Sequence, residues 1–333
     1  MRHIIPISFL LLLVLGFSCT RSLDKKEVRM QEIADSLAGK GELVITYDQV
    51  MERAVKILAT DFERQNPGIH PVFIADGSRR MAQRITRGSA KADIFITSDF
   101  RVIENLLIPW YTHWYYIFAQ DEMVIAYTEN SRRAEDINTE NWYQILLDSN
   151  VHFSRTDPDY APVGYRAVIT IKLAENYYNE DGIKDLLLFK DKRFIVNAEA
   201  QMFALLKKAS VDYVFTYKSE AQQLGLKFVT LPEQLNLKLE KWRSYYSMAK
   251  VKVDNVEPGK YLERKGAPIR YAICRINVGK NAIGAGKFMD YFIRTKDALD
   301  IIEKQHIPLI SDPRILPADS TTLDVRKEYG FVQ

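Results

Sequence analysis

The chain has 333 residues, 47% apolar and 27% charged, with 15 Gly and 12 Pro, a composition that excludes disorder, collagen and low complexity and leaves room for about two domains. Lys and Arg number 46 against 43 Asp and Glu, a net charge of +3, without the lopsided charge of a nucleic-acid binder. Two cysteines exclude a disulfide scaffold and a Cys-based structural zinc site.

Arg2 and His3 precede an apolar run over residues 4–17, which reads as a secretory signal and is too short for a membrane span. In Leu15-Gly16-Phe17-Ser18-Cys19 the cysteine directly follows a small residue, which resembles a bacterial lipobox, although Phe17 is bulkier than the usual pattern. The expectation is that residues 1–18 are removed and that Cys19 carries the lipid; the alternative is an ordinary cleaved signal with a stray cysteine. Residues 19–40 read as a polar tether, partly helical, that leaves the folded body free to face solvent. The chain is expected in the cell envelope, facing the periplasm or the exterior. Cys274, in an apolar stretch, reads as a buried inert thiol.

The body alternates strands and helices. Residues 43–46 read as a strand, 50–65 as a helix stopped by Asn66-Pro67-Gly68, and 71–74 as a strand. A helix follows the Gly77-Ser78 turn to residue 87, and 92–96 form a third strand. This is the βαβ signature of a parallel sheet. After a strand at 122–127 the pattern restarts: helix 142–147, strand 151–154, helix 168–178, strand 194–196, helix 202–208, strand 211–217, a helix beginning at 221–224 and strand 227–231. Residues 269–276 read as a strand, and 285–292 and 298–305 as helices. The aromatic run over residues 110–116 reads as core and surface padding beside a hinge rather than a stacking site.

Two α/β units behind a secretion signal are the architecture of a solute-binding protein, whose ligand sits at strand ends and helix N-termini and closes the cleft by a hinge. Lobe I is expected over residues 41–125 and 255–315, lobe II over 126–254, and a tail over 316–333. The segment Asp157-Pro158-Asp159-Tyr160-Ala161-Pro162-Val163-Gly164-Tyr165-Arg166 resembles the "DPNxDPCGYR" segment of the tungstate/molybdate solute-binding proteins of ABC importers. Ala75-Asp76-Gly77-Ser78 resembles their anion turn "AAGS", and Lys91-Ala92-Asp93-Ile94 with Ser98-Asp99-Phe100 follows at the family spacing. Similar pieces lie at Glu122 to Thr128, at Asp212 to Ser219 ("DYAFEYRS") and at Gly266 to Tyr271 ("GKPIVYG"). The pieces keep family order from about residue 42 to 312.

The resemblance implies a periplasmic-binding-protein type II fold, an α/β architecture with the ligand cleft between two lobes. It implies a monomer that captures tungstate or molybdate for an ABC permease and ATPase, with no catalysis and no resident cofactor. Three family positions differ. The first anion turn "AGS" falls on Asp48-Gln49-Val50, the second Asp of "DP…DP" is Ala161, and the Glu of "FEY" is Thr216. These differences prompt two alternatives: a diverged member that binds another small anion or polar solute, or a sensor domain.

Each candidate carries two readings. Ser78 after Gly77 opens a helix, where unpaired amides and a hydroxyl can hold an oxyanion or simply cap the helix. Asp157 either ligates the metal atom of the oxyanion or shapes a Pro-flanked turn. A carboxylate ~4 Å from an oxyanion otherwise costs about 4 kcal/mol at an effective dielectric of 20. Asp48 reads as a helix N-cap; facing the cleft, it would oppose a plain oxyanion and favour a cationic ligand. Thr216 and Tyr217 alternate on a buried strand, so one of them faces the cleft and can donate a hydroxyl. Tyr165 and Arg166 line the cleft, or Arg166 forms an ion pair at the surface or between the lobes. No HExxH, GxSxG or phosphate-loop pattern supports an enzyme or a metal site beyond the centre of the oxyanion.

Overall fold

A computed structural model describes residues 25–255, 257, 259–317 and 319–331; the expected signal, Cys19 and the start of the tether lie outside them. The chain opens with α1 (Lys25–Leu37), then β1 (Gly41–Tyr47), α2 (Glu52–Gln65), β2 (Ile69–Ala75), α3 (Ser78–Thr86), β3 (Ile94–Thr97) and α4 (Phe100–Leu106). It continues through β4 (Tyr115–Gln120), β5 (Met123–Tyr127), α5 (Trp142–Leu147), β6 (Phe153–Thr156), α6 (Pro162–Tyr178) and α7 (Ile183–Phe189). Next come β7 (Ile195–Val196), α8 (Glu199–Lys207), β8 (Tyr213–Tyr217), α9 (Lys218–Gln223), β9 (Lys227–Thr230), α10 (Arg243–Tyr246), β10 (Lys250–Asp254) and β11 (Tyr261–Lys265). The chain ends with β12 (Arg270–Arg275), α11 (Ala282–Arg294), α12 (Lys296–Lys304), β13 (Leu309–Leu316) and α13 (Leu323–Glu328).

These strands make two sheets, ordered β13-β4-β12-β3-β1-β2 and β7-β6-β8-β5-β9, and a separate β10–β11 hairpin. β1 pairs in parallel with β2 and β3, as the βαβ pattern demands, while β12 runs antiparallel to β3 and β4. In the second sheet β6 is parallel to β7 and β8, and β5 is antiparallel to β8 and β9. Each sheet with its helices is one lobe of a type II periplasmic-binding-protein fold. The first crossing is at Asp121-Glu122, so β5 falls wholly in the second sheet, earlier than a boundary at 125/126 would place it.

Apolar periodicity builds the lobes. α2 buries Ala54, Val55, Leu58, Ala59 and Phe62, the stripe a 3.6-residue period puts on one face. α6 is buried almost all round, with Val163, Ala167, Ile169, Ile171 and Ala174 among its core residues. It begins at Pro162, six residues before the expected start, because proline fits the first helical turn, where its missing N–H is not needed. That puts Tyr165 and Arg166 on the helix. Gly164 is required there: a Cβ would strike the carbonyls of Thr156 and Asp157, so glycine lets α6 abut the end of β6.

The aromatic run divides: Tyr115 and Tyr116 are buried in β4, an interior strand, while Trp110 is 80% exposed. The tail returns to lobe I, where Phe331 packs on Tyr116 at 5.7 Å between ring centroids. At the crossing, the Asp121 carboxylate accepts from Tyr271 Oη at 2.9 Å and from Ser219, and Glu122 pairs with Lys218 and Lys238 at 2.9 and 3.2 Å. Burial pushes Asp121 up to about 6. Cys274 is buried, which pushes its thiol up.

Candidate functional site

The C-terminal ends of β1, β2 and β3 in lobe I face the ends of β6 and β8 in lobe II, and the lobes meet there. Ser78 is the first residue of α3 and is fully buried. Its amide donates to Asp48 Oδ1 at 2.7 Å. Asp48 Oδ2 accepts from the amide and the hydroxyl of Ser98, both at 2.7 Å. Thr97 Oγ1 links the group, donating to Ser78 Oγ at 3.0 Å. Asp48 stands at the N-cap position of the turn Gln49–Met51, as expected, but its carboxylate does not cap that turn and turns to Ser78 and Ser98 instead. It lies where amides of α3 and of the β3 end converge, and it uses donors that a bound oxyanion would need. Burial raises its pKa, and the Ser98 and Ser78 bonds oppose that rise.

Tyr217 brings lobe II to the same point. Its hydroxyl lies 3.2 Å from Ser98 Oγ and accepts from Arg166 Nη1 at 2.6 Å, and the same nitrogen donates to Ser98 O at 3.0 Å. Tyr165 donates to Asp99 Oδ2, and Arg166 pairs with Asp99 Oδ1 at 3.6 Å. Arg166 is 1% exposed, so it is an interlobe residue rather than a surface one. Asp99 caps α4 and also meets Arg101 at 3.3 Å; despite its burial, Arg101, Arg166 and Arg264 hold its carboxyl well below the usual range. Gly77 touches lobe II directly: a Cβ there would collide with the carbonyl and ring of Tyr160.

The remaining candidates separate from this point. Thr216 turns to the other face of the second sheet, where its hydroxyl donates to Glu220 Oε2 at 2.6 Å. Glu220 stands there with Glu199; burial pushes Glu220 up to about 7 and Glu199 well above its ordinary value. Asp157 Oδ1 accepts the Asp159 amide at 2.8 Å, the turn role, and the residue lines an outer pocket of about 490 Å³ with Arg80, Arg84, Tyr160 and Asp254. So Ser78, Gly77, Tyr165 and Tyr217 are brought to the interlobe face, while Thr216 and Asp157 are not joined to their group. Sequence reasoning gave no role to Ser98 or Asp99, though both stand in a quoted motif, and missed Arg79, Arg101, Arg264, Glu199 and Glu220. Among the described residues no set of three His, Cys, Asp or Glu side chains is arranged to hold a metal ion.

Two lobes joined at Asp121-Glu122, with polar groups from both meeting between them, have the architecture of a binding protein. Residues 43–307 match the family described as "Bacterial extracellular solute-binding protein", and the chain belongs to that family. It is 38% identical to an uncharacterized solute-binding protein of Petrotoga mobilis, over 82% of this chain and 85% of that one. It is 31% identical to the molybdate/tungstate-binding protein WtpA of Pyrococcus abyssi, over 82% and 83%. Among solved structures, the periplasmic molybdate-binding protein of Azotobacter vinelandii aligns with a TM-score of 0.56 at 17% identity, over 81% of this chain and 100% of that one. The sulfate-binding protein SubI of Mycobacterium tuberculosis aligns at 0.58 and 12%, over 86% and 91%. The chain is an extracytoplasmic solute-binding protein, and its relatives are not enzymes.

Proposed function

We propose that this chain is a lipid-anchored receptor that captures a small dianionic oxyanion, tungstate or molybdate, between its lobes and passes it to an ABC permease and ATPase. The observation that carries the reading is the interlobe meeting of anion donors: the Ser78 and Ser98 amides and the Ser98 hydroxyl converge on one carboxyl group, Asp48, beside Tyr217 and Arg166. The names of the relatives supply the ligand class. The Cys19 lipobox supplies the anchor, and the protein works as a monomer.

The test is a melting curve of the purified protein with tungstate, molybdate, sulfate, phosphate or buffer alone. A ligand at 100 times its Kd adds about 2.7 kcal/mol, a shift of several degrees. A shift with tungstate or molybdate supports the reading. No shift with any oxyanion overturns it and favours a different solute, for which Asp48 is the specific reason.

A further inference from the structure

Beside the Asp48 cradle, and closer to the hairpin, lies a set of buried arginines that no family motif explains apart from Arg166. Arg79 follows Ser78 on α3, Arg101 is on α4, Arg166 on α6 and Arg264 on β11. Arg79, Arg166 and Arg264 are 0%, 1% and 4% exposed. All of them surround Asp99 and Tyr165: Asp99 feels Arg101, Arg166 and Arg264, and Arg79 feels Arg264, Tyr165, Asp159 and Asp99. Four guanidinium groups thus surround one fully buried carboxylate, Asp99, with the partly exposed Asp159 beside Asp157 and Asp254.

The hydrogen bonds show the same imbalance. Arg79 reaches the carbonyl of Asp254 with Nη2, but its Nε and Nη1 are buried without a hydrogen bond. Arg166 Nε and Arg264 Nε are buried in the same condition, while Arg166 Nη2 has only its ion pair with Asp99 at 3.6 Å. A buried charge is ordinarily paired, and a buried N–H ordinarily finds an acceptor. Four guanidinium nitrogens contributed by both lobes and the hairpin are thus left without any acceptor or ion pair. Guanidinium is the side chain best shaped to take an oxyanion, because its planar fork matches paired oxygens.

We infer that Arg79, Arg166 and Arg264 hold the negative charge of the solute, while Asp48 has taken over the serine cradle as a built-in anion. The inference rests on the proposed function and deepens it: the ligand is a dianion recognised by charge through arginines, not by neutral amides and hydroxyls alone. It accounts for a cleft that has Val50, Ala161 and Thr216 at family ligand positions: the contacts have moved toward α3 and the hairpin.

The test is calorimetric titration of purified protein with tungstate, molybdate, sulfate and phosphate, and with perrhenate as a singly charged ion of tungstate's shape. Wild type is compared with Arg79→Gln and Arg264→Gln. Each arginine variant should lose affinity for the best dianion by about tenfold or more. Perrhenate should bind wild type about tenfold more weakly than tungstate. The anion-free arginine variants should melt within about 2 °C of wild type, since the charge removed was in excess. Unchanged dianion affinity in both arginine variants, while wild type binds a dianion, overturns the inference and leaves the receptor reading standing. A large fall in melting temperature with unchanged affinity also overturns it, by making the arginines structural. Absence of binding of any dianion to wild type overturns the receptor's ligand class itself.

Discussion

Replacing Asp48 by alanine tests whether the carboxylate acts as an internal anion. The side chain accepts three hydrogen bonds of 2.7 Å, from the Ser78 amide, the Ser98 amide and the Ser98 hydroxyl. The hydroxyl can rotate to another acceptor, but the two buried amides cannot, and each orphaned donor costs about 1–3 kcal/mol. Removing a carboxylate that burial disfavours returns part of this. A net loss of about 2–3 kcal/mol remains, which for a chain of this size lowers Tm by about 3–4 °C. The vacated cradle then has donors for a small carboxylate. Formate at ten times its Kd adds about 1.4 kcal/mol, or about 2 °C, to the variant. The assay is thermal unfolding at neutral pH with formate exchanged for chloride at constant ionic strength. Equal formate shifts in wild type and variant, or a variant that melts no lower than wild type, would refute the argument.

Glu220→Gln should flatten the pH dependence of stability. The folded carboxyl titrates at about 7 against an ordinary 4.5. The unfolded chain therefore ionises first, and stability falls as pH rises between those values, by at most about 3 kcal/mol; an unchanged slope of Tm against pH in the variant would exclude Glu220 as its source. Gly77→Ala places a Cβ against the Tyr160 carbonyl, so the lobes cannot close fully. Anion affinity should fall about tenfold with Tm nearly kept, and small-angle scattering should show a larger radius that the anion does not reduce. Cys19→Ser should leave the precursor unlipidated and release it from membranes or trap it uncleaved, as fractionation and mass spectrometry would read. Retention with normal processing would dismiss the lipobox.

Much of the fold was legible because local pattern and burial agree. Residues 43–46, 71–74 and 92–96 are short β-rich runs between amphipathic helices, and they become β1, β2 and β3 of one parallel unit. The β10–β11 hairpin escaped because its charges disguise a period of two. Lys250, Lys252 and Asp254 point out while Val251 and Val253 point in, and on the partner strand the inward position is Arg264. A charged residue on such a strand reads as solvent-facing, so nothing local marks Arg264 as buried. The expected start of α6 at residue 168 leaves out its first six residues, because the apolar period is clear only after Pro162, which stands as a first helical residue. Asp48 shows the same limit in the site: an Asp before a helix has a local explanation, and its true partners, Ser78 and Ser98, are 30 and 50 residues away.

The two halves of the site together bear on how closure is controlled. The bonds that join the lobes (Ser98 to Tyr217, Arg166 to Ser98 and Tyr165 to Asp99) run between protein groups alone. Such contacts alone would hold the lobes shut whether or not cargo was present, and the receptor would carry no signal. Closure also gathers the guanidinium groups of Arg79, Arg101, Arg166 and Arg264 into a region with too few carboxylates. That repulsion and desolvation oppose the interlobe bonds. A dianion removes the opposing term only in the closed form, and a ligand shifts an equilibrium by its differential affinity for the two states. On this argument the arginines make closure depend on cargo. Arg79→Gln should therefore populate the closed form in the absence of any anion, with a scattering radius already at the value wild type reaches only with ligand. A radius in Arg79→Gln that equals or exceeds that of anion-free wild type would contradict it.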